Sequence, residues 1–145
     1  MKLGVHYSAM SEADVPDVLS FWASVPGGIH LLPGEGASSL SRLLRTQPGV
    51  SRVVRETEGG TIVGTVCGGL VGVVGTLQHL VVDPGYRRRG IGTELIRQSE
   101  QMLRESGAAT VFISVLTGND EATRLWKQLG WRDHPEFITL DKKLR

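Results

Sequence analysis

Apolar positions along the chain change period twice, and the changes divide it into elements. Over residues 11–24, SEADVPDVLSFWAS, Val15, Val18, Leu19 and Trp22 recur at helical spacing behind Ser11, a suitable N-cap, with acids in the first turn. Residues 24–36, SVPGGIHLLPGEG, hold the prolines and glycines of a loop, and SSLSRLLRTQ (38–47) reads as a second, short helix. The period then drops to two. SRVVRETEGGTIVGTVCGG (51–69) reads as strand, Glu-Gly-Gly turn and strand, and VVGTLQHLVVD (73–83) as a third strand joined through a turn near Gly69 to Gly72. Helical spacing returns at Ile91, Leu95, Ile96, Met102 and Leu103, giving a helix over about 90–106 that Gly107 stops. TVFISVL (110–116) is continuous in apolar and β-branched residues, as in a strand covered on both faces. Asn119 can cap a helix carrying Ala122, Leu125, Trp126 and Leu129 on one face, ended by Gly130, and EFITLDKKL (136–144) reads as a last strand. The order α-α-β-β-β-α-β-α-β puts an antiparallel meander before one βαβ unit with a parallel pair, which makes a single α+β domain over residues 1–145.

Composition narrows the classes of function. A chain of 145 residues, 40% hydrophobic and 21% charged, is long enough to bury a core without staples. Cys67 is the only cysteine, so no internal disulfide can form, which suits a reducing cytoplasm. His6, His30, His79 and His134 lack metal-ligand spacing, and no metal is expected. The apolar run from Ile62 to Val82 is broken by glycines and by Gln78 and His79, so no membrane span is expected, and MKLGVHYSAMSEAD lacks the apolar core of a signal peptide. A net charge of +1 counts against a dedicated nucleic-acid binder.

The chemistry concentrates in HLVVDPGYRRRGIGTELI, residues 79–96. A strand enters a turn, three arginines follow, and glycines open a helix. The first turn of a helix holds N–H groups without carbonyl partners and a partial positive charge, so it attracts an anion. Gly90 and Gly92 let a ligand reach the backbone, and Arg87, Arg88 and Arg89 add guanidinium forks that suit phosphate oxygens. Together they suit a pyrophosphate. The chain has no G-x-x-x-x-G-K-[ST] and no G-x-G-x-x-G with an acid some twenty residues on, so neither a P-loop nor a dinucleotide fold is indicated. A turn with a solvated basic cap is the plainer alternative.

Arg87-x-x-Gly90-x-Gly92 behind LVVDPGY resembles the acyl-CoA motif of the GNAT N-acetyltransferase superfamily, and NDEATRLWKQLGW (119–131) resembles that family's second motif. The likeness is strong over residues 75–131, and the element order extends it over nearly the whole chain. It implies a mixed, mostly antiparallel central sheet with helices on both faces, splayed in a V between the strands at 77–83 and 110–116. It also implies acetyl-CoA as co-substrate. The backbone of Arg88, Arg89, Gly90, Ile91, Gly92 and Thr93, beside Arg87, would cradle the pyrophosphate. Leu80, Val81 and Val82 would pair with the pantetheine arm, and Asn119 and Trp126 would contact the co-substrate. The implied reaction is direct attack of an amine, on a small molecule or a peptide, upon the thioester, with a backbone N–H near Val81 or Val82 receiving the oxyanion.

The sequence departs from the family at two points. Gln78 stands where many relatives carry a glutamate, and an amide accepts no proton at neutral pH. His79 is the titratable neighbour and the candidate base, with water as the competing proton carrier. Regular alternation puts Gln78 and His79 on opposite faces; a β-bulge would change that. Trp126 stands where a tyrosine often protonates the leaving thiolate, so the acid is unassigned, and core packing explains Trp126 equally. Asn119 is equally an N-cap. Cys67 reads as a small buried hydrophobe rather than a nucleophile. By the resemblance the acceptor would be framed by the loop at 24–36 and the C-terminal hairpin region, where His30, Glu35, Arg132, Asp133 and His134 sit, each equally an ordinary exposed residue. The apolar GGLVGVV turn (68–74) would be either a homodimer contact or a segment folded back onto the core. An acyl-CoA-binding module without turnover, and a nucleic-acid contact through YRRRG, are the competing readings.

Overall fold

The computed structural model describes residues 4–27, 29, 31–115 and 117–144. They form two compact units, residues 1–113 and residues 114–145. In the first unit, strand β1 (His6–Ala9) leads through a 3-10 turn to helix α1 (Val15–Ser24) and helix α2 (Ala37–Thr46). Strands β2 (Arg52–Arg55), β3 (Ile62–Val71) and β4 (Val74–Val82) follow, then helix α3 (Ile91–Glu105) and strand β5 (Thr110–Ile113). The strands make one sheet in the order β1-β2-β3-β4-β5. Every pair is antiparallel except β4 with β5, which is parallel. This is the mixed, mostly antiparallel sheet expected from the meander and the βαβ unit.

Two apolar layers hold the sheet between helices. On one face Val18, Phe21 and Trp22 of α1 and Leu40 and Leu44 of α2 pack with Val53, Cys67 and Val81. On the other, Ile91 and Leu95 of α3 lie over Gly64, where an added Cβ would come within 3.3 Å and 3.2 Å of them and 2.7 Å from Val54. The start of α1 is tied to β2 by Arg55, whose guanidinium lies 2.9 Å from Asp14 and 3.3 Å from Asp17. Asp14 also accepts the Ser11 amide at 2.8 Å, one half of a capping box.

Four sequence expectations are corrected. The meander has an unforeseen first strand, β1, which is short and takes its order from pairing with β2. The strand expected at 110–116 ends at Ile113 and is not covered on both faces: Thr110 and Phe112 are exposed, Phe112 by 37%, and among the described residues β5 is an edge strand that pairs with β4. Residues 136–144 form no strand; Phe137, Ile138, Leu140 and Leu144 are all exposed, and no sheet partner orders them among the described residues. The GGLVGVV segment does not fold back. It closes the β3–β4 hairpin, with Gly72 at φ 59° in the two-residue turn and Val71 and Val73 in solvent.

The second unit holds helix α4 (Asp120–Gln128). Asn119 caps it through a side-chain oxygen that accepts the Ala122 amide at 3.2 Å. Trp126 is buried and meets Trp131 edge-on at 4.8 Å between ring centroids.

Candidate active site

Strand β4 carries the irregularity that builds the site. Thr65 pairs with Val81 and Cys67 with Gln78, so two steps along β3 match three along β4. The extra residue is a β-bulge. His79 sits in it at φ 54°, a left-handed backbone that a side chain with a Cβ adopts only where its surroundings hold it. They do so here through a buried relay: Trp22 Nε1–H donates to Thr65 Oγ1 at 2.8 Å, and the Thr65 hydroxyl donates to the His79 carbonyl at 3.1 Å. Thr65 is fully buried, so its hydroxyl needs both bonds.

The bulge overturns regular alternation. Gln78 and His79 do not face opposite sides of the sheet; both line one cavity of about 140 Å³ on the α1–α2 face. Trp22, Leu31, Glu35, Gly36, Ser39, Leu40, Leu43 and Cys67 complete its wall. The His79 ring lies 4.8 Å from the Trp22 ring, tilted by 56°. Its Nε2 is 3.0 Å from Glu35 Oε1, and the other Glu35 oxygen accepts the Leu32 amide at 2.6 Å. Cys67 is buried, and burial followed by the negative charge of Glu35 pushes its thiol up to about 12, so it holds its proton and is no nucleophile at neutral pH.

The parallel pairing of β4 with β5 ends at Leu77 and Ile113. From Gln78 to Val82, β4 runs on without a partner strand on that side among the described residues. Leu80, Val81 and Val82 therefore border an opening of the sheet, with main-chain groups available to an extended ligand. Beyond Val82 the chain turns at Asp83, whose carboxylate accepts the Gly85 amide at 2.8 Å. Arg88 at φ 63° and Gly90 at φ 83° flank Arg89 in left-handed backbone. Left-handed residues in such a turn recur in the backbone concavities that bind anions. The first bond of α3 runs from the Glu94 amide to the Gly90 carbonyl at 3.0 Å, so the amides of Ile91, Gly92 and Thr93 have no acceptor within the helix.

The arginines are deployed differently. Arg87 donates from Nε to the Val82 carbonyl at 3.1 Å, and Arg89 lies over the Tyr86 ring at 5.2 Å, whose hydroxyl donates to Glu56 at 2.6 Å. All three arginines are exposed. The first-turn carboxylate of α3, Glu94, is engaged along the helix by Arg97 and Gln98, and the bond from Arg97 holds it below the usual carboxylate range.

The structure thus brings together His79, Gln78 and Glu35 at the cavity, Leu80 to Val82 at the opening, and Arg87 to Thr93 at the start of α3. Asn119, Trp126, Arg132, Asp133 and His134 lie in the second unit. His30 lies outside the described residues. Sequence reasoning missed Thr65 and Trp22 as supports of His79. The available signal was a lone threonine inside the apolar run IVGTVCGG, a polar group that burial obliges to find partners. No group of three or more His, Cys, Asp or Glu placed to hold a metal is found among the described residues. None of their helices is long and apolar enough to cross a membrane.

Solved structures share this fold. An acetyltransferase of Trypanosoma brucei superposes with a TM-score of 0.73 at 23% identity, covering 95% of this chain and 99% of that one. An aminoglycoside acetyltransferase from an uncultured soil metagenomic sample gives 0.74 at 20% identity, covering 100% of both. Glucosamine-6-phosphate N-acetyltransferase from Arabidopsis thaliana gives 0.67 at 14%, covering 97% and 99%. At such identities the likeness establishes the fold. The family follows from the sequence itself, because the model of the acetyltransferase (GNAT) family matches residues 28–131, a span that contains the bulged strand, the opened sheet edge and the glycine-led helix. With more than half its length matched, the chain belongs to the GNAT acetyltransferase family, and acyl transfer is the chemistry of that family.

Proposed function

We propose that the protein transfers an acetyl group from acetyl-CoA to a primary amine by direct attack in a ternary complex, and that residues 1–145 act as one catalytic domain. The observation that carries this reading is the bulge at His79, which puts an imidazole beside the point where β4 loses its neighbour and runs on toward the amides opening α3. In this reading the amides of Arg88 to Thr93 grip the diphosphate, with Arg87, Arg88 and Arg89 supplying charge. The pantetheine arm lies along Leu80, Val81 and Val82 as an added strand. In the second unit, Asn119 and Trp126 are read as co-substrate contacts.

The amine nitrogen attacks the thioester carbonyl, and the carbonyl oxygen takes the negative charge against a backbone N–H near Val81 or Val82. Collapse breaks the C–S bond, the sulfur leaves with the electron pair as thiolate, and the amine proton passes to His79. Gln78 accepts no proton, and Cys67 is held as thiol, so no acyl-enzyme is formed on it. The acceptor enters on the α1–α2 face, where Leu31, Leu40 and Leu43 offer apolar walls and Glu35 a carboxylate. A small-molecule amine fits that cavity, and two of the structural relatives act on small amines by their names, an aminoglycoside and glucosamine 6-phosphate.

The test is calorimetry with acetyl-CoA, followed by thiol release with kanamycin, spermidine, glucosamine 6-phosphate and lysine peptides as acceptors. Wild type should bind and release CoA with at least one amine. Gly92→Glu should lose at least about a hundredfold in affinity. A carboxylate near a helix N-terminus is favourable to the helix itself, so the fold is retained while the anion site is occupied by a competing charge. Unchanged affinity in Gly92→Glu would remove the diphosphate assignment. Tight binding with no release across the panel would make the protein an acyl-CoA-binding module, the reading that Gln78 favours.

A further inference from the structure

We propose that Glu35 is a positioning residue that sets which nitrogen of His79 is free to take the acceptor's proton; this rests on the reading of His79 as proton acceptor. An ionised carboxylate can only accept hydrogen bonds. With Glu35 Oε1 3.0 Å from Nε2, the neutral ring carries its proton there, and Nδ1 keeps the lone pair. The carboxylate is itself fixed: its second oxygen takes the Leu32 amide at 2.6 Å, and the Glu35 amide donates to the Leu32 carbonyl at 3.0 Å. The ring is therefore held by the Glu35 bond and by the Trp22 ring at 4.8 Å, while Thr65, itself bonded to Trp22, holds the backbone of His79 through its carbonyl at 3.1 Å.

Glu35 comes from the loop between α1 and α2, on the side where the acceptor enters, whereas His79 belongs to β4. The proton acceptor is thus completed by the acceptor-side loop, and its loss should act on the chemical step rather than on acetyl-CoA binding. Glu35 is 27% and His79 16% exposed in their side chains, so water competes little for the bond.

Glu35→Gln discriminates sharply. The amide oxygen can keep the Leu32 bond, which turns the amide NH₂ toward Nε2 and drives the ring proton to Nδ1. Nitrogen-15 spectra of the ring in the full-length protein should show the His79 proton on Nε2 in wild type and on Nδ1 in Glu35→Gln. With the best amine of the panel above, kcat should fall about tenfold or more, while KM for acetyl-CoA stays within about twofold. Glu35→Ala, which offers no partner at all, should show both tautomers and a similar loss of kcat. An unchanged tautomer in Glu35→Gln, or an unchanged kcat, overturns the inference. Loss of turnover in His79→Ala with none in Glu35→Gln would sink this inference alone, leaving the functional reading intact. Full turnover in His79→Ala would sink both roles at once. Without a turned-over amine, the ring spectrum still decides whether Glu35 sets the tautomer.

Discussion

At the scale of single residues, the site depends on where protons are held. Cys67 illustrates the effect of burial: desolvation, with the negative charge of Glu35 adding to it, raises its thiol to about 12, so the native chain keeps a proton that the unfolded chain gives up near 9. Between those values the unfolded state binds fewer protons than the native one, and linkage makes stability fall as pH rises. Melting temperature should therefore decline from about pH 9 toward 12, and Cys67→Ala should show a shallower decline. Equal slopes for both proteins would show that the thiol is not held protonated. His79 was legible in the sequence as a titratable residue in the right strand. Its orientation was not, because alternation follows from sequence order only while the register is regular, and Thr65↔Val81 against Cys67↔Gln78 breaks that register. Nothing in the local sequence marks Glu35 as its partner, forty-four positions away.

At the scale of elements, β3 is the strand on which both layers close. Gly68, opposite Leu77, has no room for a side chain: an added Cβ would stand 2.7 Å from Val50 Cγ1, 2.8 Å from Leu77 Cδ2 and 3.0 Å from the Thr76 carbonyl. The carbonyl belongs to the neighbouring strand and cannot step aside as a flexible side chain would. Gly68→Ala should destabilise by about 1–3 kcal/mol, as overpacking does. Chemical denaturation that returns wild-type stability would mean that β4 can move and that the bulge beside it is loosely held. The helices were readable from period and caps: α3 begins after Gly90 and α4 after Asn119, where composition placed them. The strands were less so. β1 has too few residues for a pattern of its own, β5 is shorter and more open than its apolar sequence suggests, and residues 136–144 have strand-like composition without a strand. A strand is completed by its neighbour, and composition does not name the neighbour.

At the scale of the molecule, the first unit is a sheet covered by α1 and α2 on one side and α3 on the other, with its apolar hairpin end left in water. Val71 is 81% and Val73 59% exposed, so folding stability draws little from either. Val71→Lys with Val73→Lys should change unfolding free energy by no more than about 0.5 kcal/mol. A larger loss would show that the hairpin end is covered, as a contact between copies of the chain would cover it, and sedimentation of both proteins would then separate the two states.

The helices and the meander followed by a βαβ unit were legible in the chain because periodicity and caps act over a few residues, and the family because its motifs at 87–92 and 119–131 are contiguous. Tertiary structure alone decided that β4 bulges at His79, that Trp22 and Thr65 hold the bulge, and that Glu35 meets the imidazole. Those arrangements join residues far apart in the chain, and only packing of the α1–α2 layer onto the sheet brings their atoms within bonding distance.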